Sequence, residues 1–451
     1  MNSLPRLFAA ALVAALVLGL VAACGGPSVS LNEDPSEYAE QVEELQAYLS
    51  DNPDDVEALR TLGTIFMRTN RPARAYDLLK KAYAKEPSDP QTLYFLGLAS
   101  EGVGKQQAAL GLYKKYGEVP SDSDYRTLME GRYAWLIRQQ ARASVQRLVE
   151  NEQQVADREP SPRVVAVLPF EFQGGNDRFQ PLGRGLAEMV TTDLANVQQL
   201  RIVERIRLQA LLDELKLAQT DAVDASTAPR VGRLLGAGRL VSGSYLVTND
   251  DQLRLDLTLA SVREGGSVPE ADAQTGDLGQ LFALQKQLVF RVLNLLDVDL
   301  TPRERDAIEE VPTRNLQAFL AYSRGLLEED RGNFEAAFQS YQQAQQLDPN
   351  FEAASQSTTR TQGMTSAAGP RQNAISAGVQ TQSRMSSRQA GSMVGNRLRQ
   401  MSGFRVGGGL RGGGASTLPA SNLTEQATTA EELLPLPPPP PPPSSSSDGG
   451  S

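Results

Sequence analysis

Histidine is absent from the 451 residues, and cysteine occurs once, as Cys24. Those two absences exclude Ser-His-Asp and Cys-His catalysis, histidine-based metal sites, Cys-x-x-Cys redox pairs and cysteine-rich zinc sites. Positive charge is also in deficit. The formal net charge of −10 argues against nucleic acid as the main partner, because phosphate binding requires a basic surface. A P-loop and a dinucleotide fingerprint are both missing. Gly183-Arg-Gly185 opens a helix and could hold an anion through backbone N–H groups, but without those signatures it reads as a tight turn with close packing. The acidic groups Glu188/Asp193, Asp250/Asp251 and Glu328/Glu329/Asp330 fall in polar turns or on helix faces, where solvated charge is the usual explanation. No catalytic residue, metal site or cofactor follows from any of this, and the chain reads as a non-enzyme.

What is present begins with a targeting segment. Arg6 supplies a positive start, Leu7–Val21 is an uncharged apolar run, and Val21-Ala-Ala-Cys24 follows. This is the layout of a secretory signal, and its end resembles the bacterial lipobox, which implies lipidation of Cys24 after removal of residues 1–23. Acyl chains, each CH2 worth about 0.8 kcal/mol when buried, anchor a protein without a spanning helix. An ordinary cleaved signal and a short membrane anchor are the alternatives; the run is short for a span of about 20 residues. Gly25 occupies the position where an aspartate would favour inner-membrane retention. The expected location is therefore the outer membrane, on its periplasmic face. Residues 24–36, rich in Gly, Ser, Pro and Asn, read as a tether.

Glycines recur at Gly63, Gly97 and Gly131, and the period of 34 residues marks the tetratricopeptide repeat. Leu59, Gly63, Phe66, Ala75, Leu79, Ala82 and Pro87 fit the first unit, and Leu93, Gly97, Ala109 and Tyr113 keep phase in the second. The third retains Gly131, Ala134 and Ala143 and little else. A further copy lies downstream, with Gly325, Ala337, Tyr341, Ala344 and Pro349. Small residues let two helices approach while larger ones fill the groove between them. Leu59, Gly63, Phe66, Ala75, Leu93, Gly97, Ala109, Gly325, Ala337 and Tyr341 are the expected protein-binding positions; the bland alternative is that the repeats only buttress their neighbour.

Between the two repeat regions, Val164–Leu168 is a continuous apolar run expected of a strand buried on both faces. Leu186, Met189, Val190, Leu194 and Val197 share one helical face. Ile202 and Val203 make a short strand, Leu208–Leu215 and Val231–Leu235 two helices, and Arg239–Val247 and Gln252–Ser261 a hairpin across Thr248-Asn-Asp-Asp251. In its second strand Leu253, Leu255, Leu257 and Leu259 alternate with Arg254, Asp256 and Thr258, one face buried and one wet. Residues 277–297 form an amphipathic helix, and Thr301-Pro-Arg-Glu304 is a capping box with proline at the first helical position.

The ordered segments Val167-Leu-Pro-Phe170, Gly183-Arg-Gly-Leu-Ala-Glu-Met-Val-Thr-Thr-Asp-Leu194, Val203-Glu-Arg205, Leu211-Leu-Asp-Glu-Leu215, Leu234-Leu-Gly-Ala237 and Val241-Ser-Gly-Ser244 resemble the CsgG family. That family includes the outer-membrane lipoprotein of curli export, and its fold is similar to the N-terminal domain of TolB. The resemblance spans about 100 residues and implies a role in envelope protein assembly, with no catalytic residue to carry over. A membrane-spanning strand needs about 9–11 alternating residues, and the one evident hairpin, 239–261, reads as core sheet, so a pore is not expected.

From residue 355 onward Gly, Ser, Gln, Thr and Arg dominate, and 355–424 holds eight arginines and no acid. Such a composition buries too little apolar surface to offset its ordering entropy, and 355–451 reads as a disordered tail ending in the polyproline run Pro437–Pro443.

The expected architecture is thus a multidomain chain: signal 1–23, lipidated tether 24–36, helical tetratricopeptide solenoid 37–155, CsgG/TolB-N-like α/β sandwich 163–300, helix plus repeat-like hairpin 301–354, and tail 355–451. The expected partners are protein clients of the cell envelope, with a lipid anchor in the membrane, no nucleic acid and no cofactor. Self-association and contact of the Arg-rich tail with the anionic cell wall are further options. Two functional readings stand: an accessory to curli-like fibre or surface-protein export, and an activator of peptidoglycan synthesis acting on penicillin-binding proteins.

Overall fold

The computed structural model describes residues 38–153, 159–217, 227–262 and 270–402. Cys24, the signal, the tether and the polyproline run lie outside the described residues. The chain divides into units 1–391 and 392–451, the second described only as the end of the last helix.

Helical hairpins come first. Helices α1 (Tyr38–Asp51), α2 (Val56–Arg68), α3 (Pro72–Lys85), α4 (Pro90–Gly102) and α5 (Gln106–Lys114) stack in sequence order. Their starts are fixed by chemistry that the repeat conserves internally. Asp55 accepts from the N–H of Ala58 at 2.8 Å and Asp89 from that of Thr92 at 2.7 Å, and Pro72 and Pro90 occupy first-turn positions where no N–H is needed. Within each hairpin the glycine touches the residue 16 positions later. A Cβ on Gly63 would collide with Leu79, one on Gly97 with the Tyr113 ring, and one on Gly325 with the Tyr341 ring.

The third unit breaks this rule. Helix α6 (Asp124–Glu150) is a single 27-residue helix that runs straight through the point where the repeat should turn. The turns of the other units rest on a left-handed residue: Asn70 at φ 56°, Gly104 at φ 77° and Gly332 at φ 81°. The equivalent position in the third unit is Arg138, which lacks the tolerance of Gly or Asn for that conformation, so the helix continues. Ala143, placed by spacing in a second helix, is exposed. Gly131 packs instead against the backbone of Gly363, more than two hundred residues downstream.

The α/β part follows. Strands β1 (Ser161–Val167), β2 (Glu171–Phe172), β3 (Arg201–Ile202), β4 (Ala237–Val247), β5 (Gln252–Ser261) and β6 (Glu270–Asp277) form one sheet in the order β3-β1-β4-β5-β6, with β2 also pairing β4. The β1–β3 and β1–β4 pairs are parallel, and β4–β5 and β5–β6 antiparallel. Parallel neighbours require crossovers, supplied by α7 (Leu182–Ala195), α8 (Arg205–Glu214) and α9 (Ala228–Leu235). One face of the sheet carries Val165, Val241, Tyr245, Leu253, Leu255 and Leu257 against α7, α10 (Leu281–Leu295) and α12 (Leu316–Asp330). The opposite face packs Ala166, Leu168 and Leu240 on α8 and α9, with Val145 from the end of α6 joining that cluster. Strand β6 was not legible in the sequence: the expected helix from 277 begins at Leu281, after β6 and a short turn of 3-10 helix. Thr301 and Glu304 make the reciprocal capping box expected of α11 (Pro302–Glu309).

The C-terminal region corrects the sequence reading. Helices α12 and α13 (Phe334–Leu347) form the expected repeat hairpin, but the chain then continues as α14 (Glu352–Ala367) and α15 (Arg371–Ser402). Residues from 355 are therefore not a disordered tail as far as the described chain extends. Ala354, Met364, Ala367, Ala374, Ile375 and Val379 are all buried. The composition misleads because its polar residues satisfy themselves. Thr358 donates to the Ala354 carbonyl at 2.8 Å, Thr361 to that of Ser357 at 2.5 Å and Ser376 to that of Gln372 at 3.1 Å. Small side chains with internal partners bury at little cost, and glycines permit backbone contact. Helix α14 lies along α6 and joins the downstream repeat to the upstream ones.

Candidate protein-binding groove and charged junction

The groove is built on α4 and α6. Tyr94 and Phe95 project from α4 and Tyr125 from α6. Their ring centroids are 5.5 Å (Tyr94–Phe95), 5.8 Å (Tyr94–Tyr125) and 6.3 Å (Phe95–Tyr125) apart, within the range of favourable aromatic pairs. Burial pushes the Tyr94 and Tyr125 phenols up, which keeps both as donors. Both donate to backbone: Tyr94 to the carbonyl of Ala374 at 2.7 Å, and Tyr125 to that of Gly378 at 3.2 Å. Arg132 completes the wall. Glu101 holds it in a two-pronged pair at 3.0 and 2.7 Å, and its remaining nitrogen donates to the carbonyls of Ala367 and Gly369 at 2.8 and 2.9 Å. The repeat surface is thus seated on the chain's own α15 through an aromatic shelf and two tyrosine donors, while Arg132 holds main-chain oxygens at the bend between α14 and α15.

The second cluster lies where the repeats meet the sheet domain. Glu329 and Asp330 at the end of α12 are buried and enclosed by arginines from four helices. Arg138 of α6 reaches Glu329 at 2.9 Å, and Arg205 of α8 and Arg360 of α14 each reach it at 3.3 Å. Arg205 also contacts Asp330 and lies 3.3 Å from Glu188 of α7, while Arg184 of α7 reaches Asp330 at 3.3 Å. Tyr341 of α13 donates to Glu329 at 2.7 Å. Burial would raise the Glu329 carboxyl, but Arg360, Arg205, Arg138 and the Tyr341 hydroxyl more than reverse it and hold the group well below the carboxylate range. For Asp330 and Glu188 burial prevails over the nearby arginines and pushes the carboxyls up. Glu188, Asp193, Glu329 and Asp330, expected in solvent, are instead half-buried (Glu188) or buried (the other three), because their partners come from other helices, most of them far away in the chain. Asp193 is likewise buried, accepting from Lys286 at 2.8 Å and Gln285 at 2.8 Å on α10. Asp250 and Asp251 are exposed, as expected of a turn.

Gly183 and Gly185 conform to the close-packing reading. The Tyr245 hydroxyl accepts from the Gly183 N–H at 3.0 Å and donates towards the Phe179 and Gln180 carbonyls at 2.8 Å. A Cβ on Gly183 would overlap the Phe170 carbonyl, and one on Gly185 the Ser323 hydroxyl. A cavity of about 220 Å³ lies against β4 and β5 beside the β1–β2 connection, lined by Glu171, Gln173, Arg184, Ser242, Ser244 and Asp256 among others. Among the described residues no His/Cys/Asp/Glu group could hold a metal ion, and no helix is long and apolar enough to cross a membrane.

The repeat positions named from the sequence lie in the packing of the hairpins. Leu59, Phe66, Ala75, Leu93, Ala109, Ala337 and Tyr341 are buried, and Gly63, Gly97 and Gly325 press on their own hairpin partners. They set hairpin geometry. The side chains that meet the α14–α15 segment are Tyr94, Tyr125 and Arg132, which fall between the repeat's signature positions and so carry no periodic signal.

The family comparisons agree with this architecture. Residues 146–254 match the model of the curli production assembly/transport component CsgG, and residues 37–90 and 60–123 that of the tetratricopeptide repeat. The chain carries a CsgG domain joined to tetratricopeptide repeats. None of the curated proteins matches it. Among solved structures it is similar to the LpoB C-terminal domain from Salmonella enterica, at 20% identity over 30% of this chain and 98% of that one, with a TM-score of 0.23. A tetratricopeptide repeat protein from Parabacteroides merdae aligns at 15% identity over 74% and 97%, TM-score 0.21, and yeast Tom70 at 12% over 72% and 63%, TM-score 0.22. At these scores nothing of those proteins' roles carries over. The CsgG match begins at residue 146, inside α6, so the helix that closes the repeat array also opens the second domain.

Proposed function

We propose that this protein is a non-catalytic scaffold of the cell envelope, anchored to the outer membrane through Cys24 with its body in the periplasm. Its repeats grip a protein client, and its CsgG domain forms the platform on which that client is assembled or exported. The observation that supports this reading most is the groove itself, where Tyr94 and Tyr125 direct donors at the main chain of a helix and Arg132 at the bend that precedes it. Such donors read backbone and shape more than side-chain identity, which suits a surface for protein segments. Accessory work in fibre or surface-protein export is the first reading, because the CsgG model is the family match over the sheet domain. Activation of peptidoglycan synthesis on penicillin-binding proteins is the alternative.

In-cell cross-linking from a photoreactive residue at position 91 of α4, followed by identification of the captured protein, tests the grip. Surface-exposed or secreted proteins should be recovered, and their export should fall on deletion of the gene. Unchanged secretion together with a strictly monomeric state in light scattering would refute the export reading. Unaltered glycan polymerisation rates with purified protein would remove the alternative. A Cys24→Ser variant that still fractionates with the outer membrane would overturn the anchor.

A further inference from the structure

The groove is already filled. Helix α15 presents to it a face made of Ala374, Ile375, Gly378, Val379 and Thr381, all buried, while Gln372, Asn373, Ser376, Gln380 and Arg384 on the other side are exposed. The Ala374–Gly378 step lies against the aromatic shelf: a Cβ on Gly378 would stand 2.6 Å from the Tyr94 ring and 2.8 Å from that of Phe95. Only Ile375 and Val379 bring large apolar side chains into the contact. Helix-weakening Ser, Thr, Asn and Gly occupy five of the 13 positions from Arg371 to Ser383, and alanine only two, so little in the stretch sustains an isolated helix.

We propose that the 371–387 segment of α15 is an internal ligand of the repeat groove, bound through its tether and displaced when a client helix of the same kind enters. The kind of client follows from the seat. It is a helix with small residues at i and i+4, aliphatic residues at i+1 and i+5, and main-chain oxygens accessible to the two tyrosines. Pairing an intrinsically weak helix with a close-fitting groove is the arrangement expected of an intramolecular competitor. Attachment one turn beyond α14 gives it a high effective concentration, while little buried apolar surface holds it in place. The proposal rests on the reading of the repeats as a client-binding groove, but its probe needs no client.

The test uses the full-length mature chain and a fluorescent synthetic peptide spanning residues 368–387. Gly378→Leu in the chain forces the tethered helix off the shelf without altering the groove wall. The wild-type peptide should then bind the variant at least tenfold more tightly than it binds the parent chain, and a peptide carrying the same Leu should not bind. Hydrogen exchange on the unmodified chain should show 374–387 opening well before α4 or α6. Equal peptide affinity for the two chains would overturn the proposal. So would exchange of 374–387 only together with the repeats, or collapse of the whole fold in the variant, since each makes α15 a permanent strut. Peptide binding as expected, with no client recovered by cross-linking, would refute the scaffold reading and leave the internal ligand intact.

Discussion

Replacing Glu329 by Gln should destabilise the protein more than any other isosteric change of a single charge. The carboxylate is 2% exposed and faces Arg138, Arg205, Arg360 and the Tyr341 hydroxyl. Gln keeps its volume and can still accept from Tyr341, so no cavity opens, and the loss is the charge alone. Asp330 and Glu188 would remain to balance the clustered guanidiniums of Arg138, Arg184, Arg205 and Arg360. Removing one partner of a buried pair costs about 3–5 kcal/mol, because the other charge stays desolvated. At roughly 2–4 °C per kcal/mol for a large domain, the melting midpoint by calorimetry should fall by about 6 °C or more. Glu328→Gln is the control one residue away. Its carboxylate pairs with half-exposed Arg331 at the surface, and exposed pairs contribute about 0–1 kcal/mol. The pH dependence carries a sign. Glu329 is held below the ordinary range, so its stabilisation is fully present above the unfolded carboxylate value of about 4.3 and is lost as pH falls towards its folded value. The gap between wild type and Glu329→Gln should therefore be constant above about pH 5 and begin to narrow only as pH falls below about 4. A midpoint for Glu329→Gln within 2 °C of the Glu328→Gln control at pH 7 would show that the cluster is open to water and the reasoning mistaken.

Gly131→Leu should force α6 and α14 apart, since the added Cβ meets the Gly363 backbone. Overpacking of about 1–3 kcal/mol should appear as faster proteolysis between 352 and 370, and unchanged cleavage would refute the contact. Tyr245→Phe strips the partner of the Gly183 N–H and a donor to the Phe179 and Gln180 carbonyls. A loss of about 1–3 kcal/mol in denaturant titration is expected for groups left unsatisfied in the core. Asp193→Ala leaves Lys286 buried without its carboxylate and should loosen α10 from α7, seen as accelerated exchange of α10 amides. Arg138→Gly restores the left-handed option at the missing turn; with Glu329 unpaired, it should lower stability and weaken the helical signal of α6 together.

The repeat hairpins and most of the sheet could be read from the chain because their determinants are local. Gly63 and Leu79 lie 16 residues apart, and the alternation Leu253, Leu255, Leu257 marks a half-buried strand within one short stretch. Strand β6 escaped because Glu270–Asp277 holds no apolar side chain larger than alanine, and it gains its place by pairing with β5. The order of 355–387 escaped for a related reason: the partners that make it fold, Gly131, Tyr94 and Tyr125, lie more than two hundred residues upstream. Likewise nothing near Glu329 and Asp330 in sequence announces Arg138, Arg205 or Arg360. The candidate groove was visible only as a repeat class. Its donors sit at positions that the repeat pattern leaves free.

The missing turn at Arg138 ties these features together. Had the third unit turned at 138, as Asn70 and Gly104 allow in the first two, α6 would have ended there and its own second helix would have packed on Gly131. Instead α6 continues into the sheet domain, and the vacancy beside Gly131 is filled by α14. Arg138, relieved of making a turn, is buried against Glu329 at the domain junction. Because α14 must lie there, α15 starts at the mouth of the groove, and Arg132 can hold the Ala367 and Gly369 carbonyls at the bend between them. Occupancy of the groove and attachment of the sheet domain therefore share one helix, α14. A client that displaces α15 pulls on the same element that carries Arg360 into the junction, which gives the groove a physical route to the CsgG domain.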